Sequence, residues 1–214
     1  LRYRGESGFS QKENIEKAYA MVDGVSERER LFITAWHERV NGNLKKYGEL
    51  FEVLTRAYPR DPVFHSNLAV YYVQTGQFEK ALAEREAVIR ISPKQPQNYG
   101  IAADIHQQLD RIAEAKALLE NALAAGVDVP IIHGPLLRLA FVQRDEAAQT
   151  RHIQWFAGKP GEAWALREQA NNAAALGRYK MAGDFYQQGI ESARQAGSEI
   201  NPEQLLQQAA TAGA

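Results

Sequence analysis

The chain has 214 residues, 45% of them hydrophobic, with 25 basic and 26 acidic side chains and a formal net charge of -1. That balance gives no general pull toward nucleic acid or an anionic membrane surface, and the lack of cysteine excludes disulfide staples and thiolate metal sites. With no apolar run long enough to span a bilayer, no charged-then-apolar leader and Leu1 in place of methionine, the expectation is a soluble piece of a longer polypeptide.

Residues 1–27 begin without a clear period, but Ser10 to Val22 predicts a helix with Ile15, Ala18, Tyr19 and Val22 on one side. Ser26 opens S-E-R-E, a capping box in which the hydroxyl accepts from the Glu29 amide and the Glu29 carboxylate answers the Ser26 amide. From there a period of about 34 residues sets in, carrying Gly42 to Gly76 and Asp110, and Pro59 to Pro93. Residues 28–61 and 62–95 each hold two amphipathic helices about a short turn, the second opening on Asp61 and Pro62, an N-cap followed by a first-turn proline. Residues 96–129 keep the frame through Tyr99, Ala102, Ala103, Ile112, Ala115, Leu119 and Ala122. Residues 130–158 keep the two-helix rhythm, G-K-P-G at 158–161 breaks it, and 163–196 resumes it with Ala170, Gly177, Tyr179, Ala182, Tyr186 and Gly189. Asn201 and Pro202 then predict a last helix over 199–212, its Gln207 and Gln208 suited to an outer face.

A helix-turn-helix unit at this period resembles the tetratricopeptide repeat. The resemblance implies an all-α fold, a right-handed superhelical solenoid of antiparallel helix pairs forming one domain, with 199–212 as its capping helix. Against the family pattern, Glu38 and Tyr47 stand where an aromatic and an alanine are usual, which implies looser or altered packing at that edge. Arg85 replaces another usual aromatic, and the turn at Arg144 and Asp145 reads as about one residue short, marking 130–158 as degenerate. In such folds the first helix of each pair lines an inner groove. The family frame places there Phe32, Trp36, Arg39 and Val40, then Ser66, Asn67, Val70 and Gln74, then Ile101, Asp104, Gln107 and Gln108, and finally Arg167, Asn171 and Ala174. The contact residues expected for a protein or peptide partner are Phe32, Trp36, Arg39, Val70, Gln74, Asp104 and Gln108. Phe32 and Trp36, four apart, form either an aromatic anchor for the partner or a pair covered by the helix over 10–22. The lysines, arginines and asparagines with which chaperone-binding members grip a terminal carboxylate are replaced by Phe32, Trp36, Ser66, Val70, Gly100 and Asp104, so recognition through apolar and amide contacts is implied.

Nothing in the chain assembles a catalytic set. There is no G-x-S-x-G and no phosphate-binding G-x-x-x-x-G-K-[ST], and His37-Glu38 begins like H-E-x-x-H but meets Asn41 at the second histidine position. The five histidines fall on separate predicted helices, with His65 and His106 at packing positions. Neither a metal nor a cofactor is expected, and this segment is read as non-enzymatic. Arg138, Arg144 and Arg151 alternate with Asp145 and Glu146, which argues against a nucleic-acid groove.

The segments SERERLFITAWHERVNGNLKKY and YPRDPVFHSNLAVYYVQTGQFEKAL, with AGKPG at 157–161, resemble the repeat region that follows the catalytic domain of many bacterial eukaryotic-like serine/threonine kinases. No kinase motif lies within these residues, so a kinase reading implies chemistry before Leu1. The resemblance implies a regulatory, partner-binding module of a signalling protein, cytoplasmic unless a membrane helix lies upstream. The alternative is a stand-alone adaptor or assembly factor without an enzymatic parent.

Overall fold

The computed structural model describes residues 8–159 and 161–196, and every regular element among them is helical. The chain forms two compact units, Leu1–Asp110 and Arg111–Ala214. The first holds α1 (Gly8–Ala20), a single 3-10 turn (Val22–Gly24), α2 (Glu27–Val40), α3 (Leu44–Ala57), α4 (Pro62–Gln74), α5 (Phe78–Ile91) and α6 (Pro96–Gln108). The second holds α7 (Ile112–Ala124), α8 (Pro130–Gln143), α9 (Glu146–Phe156), α10 (Glu162–Ala175) and α11 (Tyr179–Gln195). The helix predicted over 199–212 lies outside the described residues.

Local chemistry starts these helices, at Ser26 and Asp61 where the sequence predicts. Ser26 makes both arms of its capping box, Oγ accepting from the Glu29 amide at 3.3 Å and the Ser26 amide donating to Glu29 Oε2 at 3.0 Å. Asn43, Asp61 and Asp145 each accept a first-turn amide through a side-chain oxygen, from Lys46, Val63 and Ala148. Pro62, Pro96 and Pro130 open α4, α6 and α8, where a missing amide costs no helical hydrogen bond.

The helices end on a regular beat. Gly42, Gly76, Asp110 and Arg144 all have positive φ, at 84°, 71°, 57° and 56°, and successive members of this series are 34 residues apart. At Gly42, Gly76 and Arg144 the left-handed residue reverses the chain between paired helices, and Asp110 and Arg144 hold that conformation without the freedom of glycine. Arg144 thus keeps the full period. The lost residue lies after it, since Gly177, the left-handed turn inside the next helix pair, α10 and α11, follows at 33 and α9 has 11 residues against the 14 of α8.

Unit 1 is built on rings. Phe51 and Tyr47 of α3 and Phe64 of α4 are essentially fully buried and form a cluster with Phe32 and Trp36 of α2, neighbouring ring centres lying 4.8 to 6.4 Å apart. Tyr47, expected to loosen or alter the packing because it replaces an alanine, alters it: the ring is buried in this aromatic cluster, 4.8 Å from Phe51. Glu38, the other departure, accepts from Asn43 Nδ2 at 2.9 Å across the α2–α3 turn. On α3, Gly48 leaves the space that Tyr71 of α4 occupies: a Cβ at Gly48 would lie 2.3 Å from that ring.

Unit 2 has the same device at another place. A Cβ at Gly134 of α8 would lie 2.3 Å from the indole of Trp164 on α10. Pro135 sits inside α8 and is buried with Ile132, Leu136 and Leu137. Between α10 and α11 the core is Ala170, Ala173 and Ala182 around Tyr186 and Ile190.

Candidate functional site

The residues predicted to meet a partner all belong to α2, α4 and α6 of unit 1. On α2, Phe32 and Trp36 share a face because they are one turn apart, and they meet edge to face at 6.4 Å. Both are half-buried. Phe32 leans on Phe51 and Phe64, each at 5.9 Å, and Trp36 on Tyr47 at 5.9 Å. Arg39 completes the patch, its guanidinium carbon 5.5 Å from the Trp36 ring centre and 4.8 Å from that of Tyr47. Tyr47 carries the group across to α4 by donating its hydroxyl to Asn67 Oδ1 at 3.0 Å. Burial pushes the Tyr47 phenol up in pKa, with the neighbouring Arg39 charge opposing that shift.

The ring and polar contacts of α1 to α2 run through other residues. Tyr19 stacks on His37 at 3.8 Å, Glu16 lies 3.3 Å from His37 Nε2, and Asn41 Nδ2 donates to Glu16. Phe32 and Trp36 are instead buttressed by α3 and α4, which leaves each of them half open.

The rest of the predicted set is more dispersed. Val70 is half-buried on α4, while Gln74 and Gln108 are exposed at the last positions of α4 and α6. Asp104 is exposed on α6 and accepts from Gln107 Nε2 at 3.5 Å. Phe32, Trp36 and Arg39 are thus brought together, and Val70, Gln74, Asp104 and Gln108 stand as separate points on neighbouring helices. Two recesses of about 420 and 300 Å³ lie instead at the α3–α4 loop, around Tyr58 to Pro62, and at the α4–α5 loop, around Gly76 to Lys80 with Leu109.

Arg85, in a position usually aromatic, is 6% exposed. Its Nη1 donates to Asn98 Oδ1 at 3.3 Å and its Nη2 to the Ser66 carbonyl at 3.4 Å, and burial pushes its pKa down. His65 bridges Glu84 and the Pro59 carbonyl, at 2.5 and 3.1 Å, and His106 is buried on α6.

Unit 2 contains one cluster that the separate-helix reading of the histidines missed. His133 of α8 and His152 of α9, 6% and 4% exposed, face one another with their Nδ1 atoms 2.9 Å apart. His133 Nε2 lies 2.7 Å from Asp128 Oδ1, and its ring stacks on Trp155 at 3.9 Å. Burial pushes both imidazoles down in pKa, His152 to about 4, with the charges of His133, Arg151 and Lys116 adding to the effect there, while Asp128 opposes it at His133. For a neutral pair the carboxylate fixes the tautomers. His133 donates Nε2–H to Asp128, so its Nδ1 must accept from His152 Nδ1–H. Among the described residues no group of three or more histidine, aspartate or glutamate side chains could hold a metal ion. Nor is any helix among them long and apolar enough to cross a membrane.

Comparison with known proteins bears on the frame that carries these sites. A family model for the tetratricopeptide repeat matches residues 62–87, which cover α4 and most of α5. The Pseudomonas aeruginosa PilF structure superimposes with a TM-score of 0.62 at 15% identity, over 94% of this chain and 93% of that one. This is a tetratricopeptide-repeat fold. Cut9, crystallised with Hcn1 as a hetero-tetramer of the APC/C, gives a TM-score of 0.62 at 16% identity over 87% of this chain, which spans only 38% of that longer one. A tetratricopeptide protein described as having an unusual peptide-binding site, YrrB, gives 0.52 at 13% identity, covering 87% of this chain and 92% of that one. No match is found among curated protein sequences.

Proposed function

We propose that this chain is a protein-interaction module that holds a protein or peptide partner on the face of unit 1 carried by α2, α4 and α6, through Phe32, Trp36, Arg39, Val70, Gln74, Asp104 and Gln108. The observation that carries this reading is the half-open patch of Phe32, Trp36 and Arg39, two aromatic rings and a guanidinium held in place from behind by Tyr47, Phe51 and Phe64. Aromatic and arginine side chains that are pre-positioned yet reachable are the residues that dominate protein interfaces, because they bury much area and lose little freedom on binding. The peptide-binding description of YrrB and the assembly of Cut9 with Hcn1 are in keeping with such a role.

The parent we favour is a larger cytoplasmic bacterial signalling protein, a serine/threonine kinase whose catalytic part lies outside these residues. That reading is supported by the resemblance of the segments around α2 and α4 to the repeat regions of such kinases. The alternative, a stand-alone adaptor, is favoured by the PilF chain, of which these residues cover 93%.

Two measurements test these readings. Trp36→Ala should weaken capture of the native partner by about tenfold or more while the melting temperature falls by only a few degrees; collapse of the fold would make Trp36 a packing residue. The native protein captured from its host should be much larger than this segment and phosphorylate itself from ATP if the parent is a kinase. A chain of this size that takes up no label leaves the adaptor.

A further inference from the structure

Several cations of unit 1 lie against a carboxylate. Arg28 meets Asp61 at 2.5 Å, Lys45 and Lys46 share Glu49, and Arg90 meets Glu86. Arg39 and Arg85 meet no carboxylate among the described residues. The Arg39 guanidinium lies over two rings with its Nη1 enclosed and without an acceptor. The Arg85 guanidinium has only a neutral amide oxygen and a backbone carbonyl, at 3.3 and 3.4 Å, and its Nε is enclosed without an acceptor. An arginine keeps its charge when buried, and contacts to neutral oxygens at such lengths compensate it poorly. Arg85 meets α4 directly, and Arg39 is linked to the next residue of α4 through Tyr47. Arg85 reaches the Ser66 carbonyl, and Arg39 packs on Tyr47, whose hydroxyl bonds to Asn67.

We propose that the occupant of this face is an acidic peptide segment of a partner protein, with one of its side-chain carboxylates paired to Arg39 and the buried charge of Arg85 favouring further acidic residues along the Ser66, Asn67 and Val70 stripe of α4. The proposal rests on the reading of the α2, α4 and α6 face as a partner site and gives that partner its chemistry. Trp36 and Tyr47 restrict the Arg39 side chain before anything binds, so a carboxylate gains a placed fork of donors at little cost in lost freedom.

The test uses the full chain and short fluorescent peptides blocked at both ends, so that no terminal carboxylate is present. Two sets share the same apolar residues, one carrying aspartate and glutamate, the other asparagine and glutamine. The acidic set should bind about tenfold tighter at low salt and lose that advantage as sodium chloride is added. Arg39→Gln should remove most of the difference without moving the melting temperature, and Arg39→Lys, which keeps charge but not the fork, should restore part of it. Equal binding of the two sets, both weakened by Trp36→Ala, would overturn the acidic assignment and leave the partner face standing. Acidic binding that ignores both Arg39→Gln and Trp36→Ala would place the charge recognition elsewhere and overturn the assignment too. If neither set binds, the assignment falls, and capture of the native partner by the wild type and by Trp36→Ala decides whether the face itself falls with it.

Discussion

Between α2, α3 and α4 of unit 1, rings fill the space: Phe32, Trp36, Tyr47, Phe51 and Phe64 touch one another in a continuous cluster. Between α10 and α11 of unit 2, Ala170, Ala173 and Ala182 do the same work around Tyr186 and Ile190. Between α8 and α9 of that unit the filling is partly titratable, with His133 and His152 buried against one another and His133 stacked on Trp155. One helix-pair geometry therefore tolerates three kinds of core. A ring cluster concentrates stability in a few large side chains, an alanine seam spreads it over many small contacts, and a histidine pair makes it depend on protons.

The largest effect should come from deleting a ring. Phe51→Ala removes a fully buried side chain that touches three other rings and should cost about 3 to 5 kcal/mol in urea unfolding. Ile190→Val in the alanine seam should cost only about 0.5 to 1.5 kcal/mol. Comparable losses would erase the distinction between the two cores.

Acid separates the histidine core from the others. The folded pKa of His152 lies near 4, below the ordinary 6.5, so the unfolded chain binds more protons across that window. Stability from this source is complete above pH 6.5 and falls as the pH drops toward 4, by about 3 kcal/mol in total if His152 alone is counted. His152→Gln should flatten that dependence when unfolding is followed by Trp155 and Trp164 fluorescence. A slope as steep as in the wild type would assign the acid sensitivity to other groups.

Two glycines sharpen the contrast at the smallest scale. Gly134→Ala forces a methyl group into the Trp164 ring and should cost about 1 to 3 kcal/mol. Gly183→Ala, in α11 with nothing within 4 Å of the new methyl group, should instead stabilise by about 0.4 to 1 kcal/mol. Thermal melts of the two variants should therefore move in opposite directions, and a shared direction would mean that Trp164 can move out of the way.

The helices, their caps and their left-handed turns were legible because each is encoded within a few residues: Ser26 with Glu29, Asp61 with Pro62, and the beat of Gly42, Gly76 and Asp110. What was not legible lies between helices, where local periodicity names a buried face but not its partner. One signal would have helped. Residues 19 apart meet within a helix pair in His65 with Glu84, Ser66 with Arg85 and His133 with His152. That spacing, applied to the histidines, finds the buried pair that reading them helix by helix passes over. Tyr47 left two outcomes open for a related reason: position in a repeat suggests a small side chain and so looser or altered packing, and only the fold shows Trp36 of α2 and Asn67 of α4 receiving the large one. Phe32, Trp36 and Arg39 were placed together by the family frame, with helical spacing putting Phe32 and Trp36 on one face, whereas the lack of a carboxylate beside Arg39 needed the fold.

The two glycine contacts bear on how such a chain avoids assembling wrongly. Look-alike helices offer one another nearly interchangeable surfaces, and a helix that docks on the wrong neighbour loses little hydrophobic energy. A ring seated where a side chain is missing distinguishes the alternatives: Tyr71 fits where α3 has Gly48, and Trp164 where α8 has Gly134. Each acts as an address. A neighbour bearing any side chain at that point rejects the ring, so correct pairing is encoded in what two positions leave out.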